Sequence, residues 1–358
     1  MEFSTPESHV HLGLPALLEF RRGRADDEPL VLATVIATEG STYRKPGAMM
    51  LIAGDGAFAG LISGGCLEGD LAQHAQAVFA SGEPAQLTYD MSAGDDLVWN
   101  LGIGCDGVIQ LQLQRLARAD GLDVLRQLDA SHARRQPVLL AVSLGDAAGR
   151  IAMLDAAGAF AGEPGLRAVL EQAAHDWPNW RSRRFADEAG GEVMLIHAPA
   201  PVRVLLCGAG PDAVPLARIL AELDWEVTIA DHRDAFARAD RFPPGCRVVR
   251  SRPEALGENV DLAAVDAAVI MNHHLESDAA CLRQLAQAGP DYIGTLGPRA
   301  RRGRLQEMAA CEGLPVHGPV GLDIGAELPA AIALSVAAEI HAVLNGRDGR
   351  SLTELNHG

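Results

Sequence analysis

The stretch VRVLLCGAGPDAVPLARILAELDWEVTIAD, residues 202–231, decides how this chain is read. Residues 202–207 form an apolar run of the kind expected for a strand buried on both faces. Gly208-Ala209-Gly210-Pro211-Asp212-Ala213 follows, then a helical pattern over 214–223. A second strand over 226–230 runs into Asp231. The G-x-G-x-x-A pattern therefore stands in its required context, between strand and helix, with an acid closing the next strand. Asp231 lies 21 residues past Gly210, close to the spacing of about 20 that dinucleotide sites use. Gly208 permits the tight turn, Gly210 lets backbone approach a pyrophosphate, and Ala213 allows close helix–strand packing. The helix N-terminus offers unpaired N–H groups to phosphate oxygens. Asp231 can accept hydrogen bonds from ribose hydroxyls, and its charge disfavours a 2′-phosphate. His232 and Arg233 leave the choice between NAD and NADP open, and the turn also reads as a plain strand-to-helix connection. Strands over 266–271 and 291–294, each followed by helical pattern, extend the alternation into a parallel, doubly wound sheet.

Working outward, the first half changes character. Strands are expected over 31–38, 48–53, 57–62, 108–113, 137–143, 150–154 and 193–197. Helices are expected over 67–80, 123–132 and 165–174. A polar, irregular stretch over 177–191 leads to the proline-punctuated Ala198-Pro199-Ala200-Pro201-Val202, which marks a linker. The boundary is placed there, giving domains 1–198 and 199–358. The expected fold class is α/β: an N-terminal mixed α/β domain, then a Rossmann-like doubly wound parallel-sheet domain that ends in a helix. No internal repeat is legible.

Composition sets limits. A length of 358 residues suits two domains. A net charge of −17 argues against a nucleic-acid partner, which needs a basic face. It leaves room for a small anion held by local cations and a helix end. No apolar run approaches the roughly 20 residues of a membrane helix, and the N-terminal residues lack signal-peptide character. The expectation is a cytoplasmic protein with no membrane contact. The cysteines at 66, 105, 207, 246, 281 and 311 are scattered without zinc-type spacing, so they read as reduced thiols.

Two small-residue loops bracket an apolar run in the first domain. Ser41-Thr42-Tyr43-Arg44-Lys45-Pro46-Gly47 holds the only lysine of the chain. A planar guanidinium and a point ammonium together suit a phosphate or a pterin-like heterocycle; a solvated hairpin tip is the other reading. Cys66, inside Gly64-Gly65-Cys66-Leu67-Glu68, is expected at the start of a helix, where amide groups favour a thiolate. Glu68 and Asp70 oppose this. Such a thiolate binds soft metals or carries sulfur, while most free cysteines are buried and inert. Cys105, in Gly102-Ile103-Gly104-Cys105-Asp106-Gly107, is a second glycine-flanked thiol, favoured as filler. His273, His274 and Asp278 offer a metal or acid/base set, or a helix cap with loop filler. Arg299, Arg301, Arg302 and Arg304 form the densest basic patch. The apolar run 331–343 is expected to be buried on the sheet or in a dimer.

Several of these motifs together resemble one family. GSTYRKPGAMM, ISGGCLEGDL and GIGCDG in the first domain are similar to the XdhC/CoxI family. So are LLCGAGPDAVPLARI, ADHRDAFARADRFP, YIGTLGPRARRGRL and HGPVGLDIGAELPAAIALSVAAEI in the second. The resemblance runs from about Val31 to Leu352, in the family's order. It implies an accessory factor for molybdenum hydroxylases of the xanthine dehydrogenase type. Such a factor binds the molybdenum–pterin cofactor, supports its sulfuration by a cysteine desulfurase and delivers it to the apo-hydroxylase. The resemblance also implies cofactor-synthesis proteins as partners and a homodimer. Arg44, Lys45, Gly64, Gly65 and Cys66 would hold the pterin and its phosphate, with Cys66 as the metal contact. Gly208, Gly210 and Asp231 would hold NAD(P), another nucleotide, or the nucleotide part of a dinucleotide form of the cofactor, in a cleft between the domains. Asp106 stands where the family usually has glycine, which puts a role for Cys105 in doubt, and Ala213 replaces a glycine. No catalytic residue is assigned, because a carrier need not turn over substrate. The competing readings are an NAD(P)-dependent oxidoreductase, using His273 or His274 as acid/base, and an adaptor that binds no ligand.

Overall fold

The computed structural model describes residues 13–91, 107–117, 121–176, 181–186, 191–351 and 353. Cys105 and Asp106 lie outside the described residues, as does most of the polar stretch over 177–190. The chain divides into two compact units between Ala200 and Pro201, next to the proline link.

The first unit is built twice from one plan. In its first half, α1 (Leu14–Arg22) precedes β1 (Leu30–Glu39), β2 (Met49–Ala53), β3 (Phe58–Gly60), α2 (Glu68–Ser81), β4 (Ala85–Asp90) and β5 (Val108–Leu116). In its second half, α3 (Leu122–Ala133) precedes β6 (Val138–Ser143), β7 (Ile151–Asp155), β8 (Phe160–Gly162), α4 (Arg167–Ala174), β9 (Arg183–Ala186) and β10 (Glu192–Ala198). The antiparallel sheets run β3-β2-β1-β5-β4 and β8-β7-β6-β10-β9, the same order shifted by one set. The repeat that the sequence conceals is therefore present in three dimensions. Its visible trace is the pentapeptide Gly-Ala-Phe-Ala-Gly, which occurs at 56–60 and again at 158–162. Gly56, Gly60, Gly158 and Gly162 all adopt positive φ. A Cβ on Gly60 would strike the Met49 carbonyl and Leu17 of α1, and one on Gly162 the Ile151 carbonyl and Val124 of α3. Each glycine so lets a short strand pass under its helix.

Strand alternation loads both faces of each sheet. Leu30, Leu32 and Leu51 of the first sheet share a core with Val138, Leu140, Val142, Met194 and Ile196 of the second, closed by Leu17, Leu18, Leu125 and Leu128 of α1 and α3. The outward residues Val31, Ala33, Val35 and Ile52 pack under Leu71, Ala75 and Val78 of α2. Leu139, Ala141, Val193 and Leu195 pack under Val169 and Leu170 of α4. The result is helix, sheet, sheet, helix. Each fully buried leucine or valine contributes about 1.5–3 kcal/mol.

In the second unit β11 (Arg203–Cys207), β12 (Glu226–Asp231), β13 (Arg247–Arg250), β14 (Ala267–Ile270) and β15 (Tyr292–Thr295) form a parallel sheet ordered β13-β12-β11-β14-β15. Val204 and Leu206 face α5 (Ala213–Glu222) and α9 (Pro329–Leu344). Leu205 and Cys207 face α6 (Leu256–Asn259), α7 (Leu275–Ala288) and α8 (Arg299–Ala309). This is the doubly wound arrangement the sequence leads one to expect. The apolar run 331–343 packs α9 against α5 and the sheet through Ala333, Val336, Ala337 and Ile340.

Candidate functional site

In the first sheet, two loops open from one end. Glu39 of β1 pairs with Val108 of β5, which pairs with Asp90 of β4, and Met50 of β2 pairs with Gly60 of β3. The loops over 40–48 and 61–67, the end of β4 and the start of β5 therefore lie together at this end of the sheet. Gly107 packs directly on the first loop: a Cβ there would lie 2.6 Å from the Ser41 carbonyl oxygen and 2.7 Å from that of Glu39. So the structure gathers the Arg44 and Cys66 loops at a common end of one sheet.

The first loop is fastened by its backbone. The Gly47 amide donates to Val35 at 2.8 Å, the Ala48 amide to Lys45 at 3.2 Å, and the Thr42 hydroxyl to the Arg44 carbonyl at 3.0 Å. Gly47 rests on Ser182, whose hydroxyl takes the His197 amide at 3.1 Å. Arg44 is half-buried and Lys45 exposed. Among the described residues neither cation has an ion pair or a side-chain hydrogen bond, so both remain open to an anion.

The second loop has a lock that the sequence reading missed. Glu68 is 2% exposed. Its carboxylate accepts from the Ile62 amide at 3.0 Å, the Ser63 amide at 2.7 Å and the Ser63 hydroxyl at 2.6 Å. The Ser63 hydroxyl oxygen in turn accepts from the amides of Cys66 and Leu67, both at 3.0 Å. Burial alone would raise the Glu68 carboxyl. The bonds from Ser63 and Ile62 outweigh it and hold the group below its ordinary value. The helix starts at Glu68 and not at Leu67, and the Cys66 amide is already spoken for by Ser63. What the loop exposes is Gly64 and Gly65, with Cys66 half-buried beside them. Asp70 is engaged by the Tyr89 hydroxyl at 2.5 Å. The signal for the lock was a serine five residues ahead of a glutamate at a helix start. No group of three or more metal-ligating side chains gathers among the described residues, so Cys66 offers a single soft ligand.

The second unit presents the carboxyl edge of its sheet, where strand order reverses between β11 and β14, the usual position of a ligand crevice. Gly208 has φ 121° and a Cβ there would lie 2.6 Å from the Met271 carbonyl oxygen. Gly210 is open: a Cβ on it would find only His273, at 4.0 Å. Gly208 is thus required by the fold, whereas Gly210 keeps approach free for a ligand. Asp231 is 1% exposed and takes the Ala209 amide at 2.7 Å. Arg233 closes over it through Nε at 3.0 Å and Nη2 at 2.6 Å, and its amide adds a bond at 2.8 Å. Burial works to raise Asp231, but these donors keep it below its ordinary value.

The His273, His274 and Asp278 set comes apart. His274 caps α7 by accepting from the Ser277 amide. Asp278 is buried and takes the Asn272 amide at 3.0 Å and Arg301 at 2.6 Å. His273, with φ 61°, faces Asp212 at 3.3 Å. Arg302 reaches the Val316 carbonyl at 3.4 Å, so two of the basic-patch arginines are structural struts. The sequence reading also missed Glu339. It accepts from the Tyr292 hydroxyl at 2.5 Å and the Gly321 amide at 2.8 Å, lies 3.4 Å from His317, and so ties the glycine-rich loop to α9.

Residues 24–90 match the family described as XdhC and CoxI. Residues 204–340 match the XdhC Rossmann domain. A Bacillus subtilis protein, named as a probable subunit of xanthine dehydrogenase, is 34% identical over 93% of this chain and 96% of its own. The chain belongs to the XdhC and CoxI family. The chain is also 25% identical, over 87% of its length and 83% of the relative's, to the molybdenum cofactor insertion chaperone PaoD of Escherichia coli. A crystal structure from Bacillus halodurans, described as a xanthine dehydrogenase, superposes with a TM-score of 0.77 at 29% identity, over 95% of this chain and 97% of that one. Among the described residues of the chain, no helix is long and apolar enough to cross a membrane.

Proposed function

We propose that this chain binds the molybdenum–pterin cofactor as cargo, supports its sulfuration and hands it to a molybdenum hydroxylase of the xanthine dehydrogenase type. The observation that carries the reading is the shared end of the first sheet, from which the loop with the free cations and the thiol-bearing glycine loop both open. Kinship to a chaperone named for molybdenum cofactor insertion supports it. In this reading Arg44 offers a fork and Lys45 a point charge to the phosphate of the pterin. Gly64 and Gly65 leave backbone amides exposed to it. Cys66 supplies one soft ligand to the metal, or an acceptor for sulfur from a cysteine desulfurase. The Glu68 lock fixes the loop before the cargo arrives, so less ordering is needed on binding. Gly208, Gly210 and the strut Asp231 form a nucleotide site in the second unit.

The test is anaerobic purification from a molybdenum-replete host, followed by oxidation of bound pterin and fluorescence detection. Bound pterin in the wild type, and its loss in Arg44→Gln and Cys66→Ala, support the reading. Absence of pterin, with no uptake on adding it, ends it. An NAD(P)-dependent oxidoreductase would instead turn over substrate with nicotinamide alone and without any hydroxylase, which a substrate screen reads directly.

A further inference from the structure

We propose that the nucleotide site of the second unit reads a 2′-phosphorylated ribose through Arg233 and Arg241, so that its ligand is of the NADP class and not a nucleotide with a free 2′,3′-diol. This rests on the nucleotide reading just given and names the ligand class.

The argument starts from Asp231. In a site for a free diol, this carboxylate at the end of the second strand must accept from ribose hydroxyls. Here each of its oxygens is occupied. Oδ1 takes the amide and Nε of Arg233, and Oδ2 takes the Ala209 amide and Nη2 of Arg233. Its side chain has no exposed surface, whereas that of Arg233 is 37% exposed. A diol would have to break a two-point ion pair to reach it. A ligand arriving at this end meets guanidinium first, and Arg233 Nη1 makes no bond among the described residues.

Arg241 adds an independent observation. It is half-buried against the turn, where Nη1 donates to the Ala209 carbonyl at 2.6 Å and the Phe236 carbonyl at 2.8 Å. Its guanidinium lies 5.1 Å from the Phe236 ring centre, and that of Arg233 lies 4.0 Å from the same ring. Among the described residues Arg241 has no carboxylate partner. Two neighbouring acids are already paired with arginine, Asp234 with Arg250 and Asp240 with Arg238, while Asp212 faces the imidazole of His273. His232 stands 3.8 Å from Asp231. Asp231 and Arg233 cancel, and Arg241 brings to the glycine turn a further guanidinium that is held by carbonyls and by no carboxylate bond. A phosphate dianion pairs with such a guanidinium, and a neutral diol does not.

Calorimetric titration of the full chain with NADP⁺ and NAD⁺, repeated with 2′,5′-ADP and 5′-ADP, tests this. The expected result is tighter binding of the 2′-phosphorylated member of each pair, by about 10- to 100-fold, the span of one or two charge-assisted bonds. Arg233→Gln uncovers Asp231 and is expected to invert the order, weakening NADP⁺ and strengthening NAD⁺. Equal or tighter binding of NAD⁺ by the wild type overturns the proposal. So does a loss of both ligands by one common factor in Arg233→Gln, the mark of a merely structural arginine. The wild-type comparison stands even if that variant fails to fold. Failure of every nucleotide to bind would remove the underlying site reading, and this inference with it, leaving the pterin site untouched.

Discussion

In the first half of the first unit, residues 61–67 join β3 to α2; in the second half, residues 163–166 make the equivalent join from β8 to α4. The link from the first strand to the second is longer in the first half too, 40–48 against 144–150. The scaffold beneath them is the same, down to the strand order and the Gly-Ala-Phe-Ala-Gly turn. Among the described residues, only the first half carries a glycine-flanked thiol at the same sheet end as free cations. The duplicated part is what holds the sheets together, and the part that differs is what faces solvent with reactive groups. Loops on a rigid scaffold are where ligand chemistry is placed, and here the second half acts as an internal control for the first.

The comparison would break first on ligand content. Cys66→Ala or Arg44→Gln is expected to lower copurified pterin by about tenfold or more, the weight of one charge-assisted contact. Arg150→Gln, in the corresponding link of the second half, should leave pterin content unchanged. Equal losses in the three variants would show that the halves do not differ in this way. Next comes the lock. Glu68→Ala strands two buried amides and a hydroxyl and should cost about 2–4 kcal/mol in urea unfolding. Its counterpart at the start of α4, Arg167, pairs with Glu171 at the surface and lies 5.1 Å from the Phe160 ring centre, so Arg167→Ala should cost about 1 kcal/mol.

The scaffold glycines should behave alike. Gly60→Ala and Gly162→Ala each place a Cβ against backbone at positive φ, and each is expected to cost about 2 kcal/mol or more by the same measurement. A large cost in one half and none in the other would mean that the halves are not mechanically equivalent. The smallest effect is acid sensitivity. Each half has its own buried carboxylate, Glu68 in the first and Asp155 in the second. Burial pushes the Asp155 carboxyl up, and bonds from Ser131, Ala159, Arg134 and Ala157 bring it below its ordinary value. Both groups therefore stabilise the fold fully above their unfolded values of about 4, and that contribution fades as pH falls through the lower folded values. Glu68→Gln and Asp155→Asn should each flatten the decline of the urea midpoint between neutral pH and acid.

How much of this was legible in the sequence depends on where the signal is written. The parallel sheet was plain because strands buried on both faces are near-continuous apolar runs, as in Val204 to Cys207. The glycine turn was plain because Gly208 has a steric reason that no other residue meets. Four of the six edge strands, β4, β8, β9 and β13, were not, whereas β3 and β15 overlap expected strands. β4 reads Ala-Gln-Leu-Thr-Tyr-Asp with alternate residues exposed, β8 is three residues long, and β9 and β13 begin and carry arginine. Short, polar edge strands look like loops, which is how edges avoid unwanted pairing. The duplication was hidden because two halves need share only pattern and volume, and the surviving identity is one pentapeptide. The Glu68 lock and the Glu339 tie were hidden for a different reason. A carboxylate in a sequence announces charge, while these two are spent on backbone amides, a hydroxyl and an imidazole brought together only by folding. Asp231 is the middle case: its place was legible, but its capture by Arg233 was not, although the two residues are near neighbours in the chain.

One consequence of the paired architecture concerns redesign. Because Gly47 and Gly149 share a φ of 95°, and lean on Ser182 and Pro84 at matching points before β9 and β4, the second half presents the same sockets as the first. Transplanting residues 40–48 and 61–67 onto those sockets would give a molecule with two ports on opposite members of a twin frame. It would let loading be counted as one or two equivalents per chain.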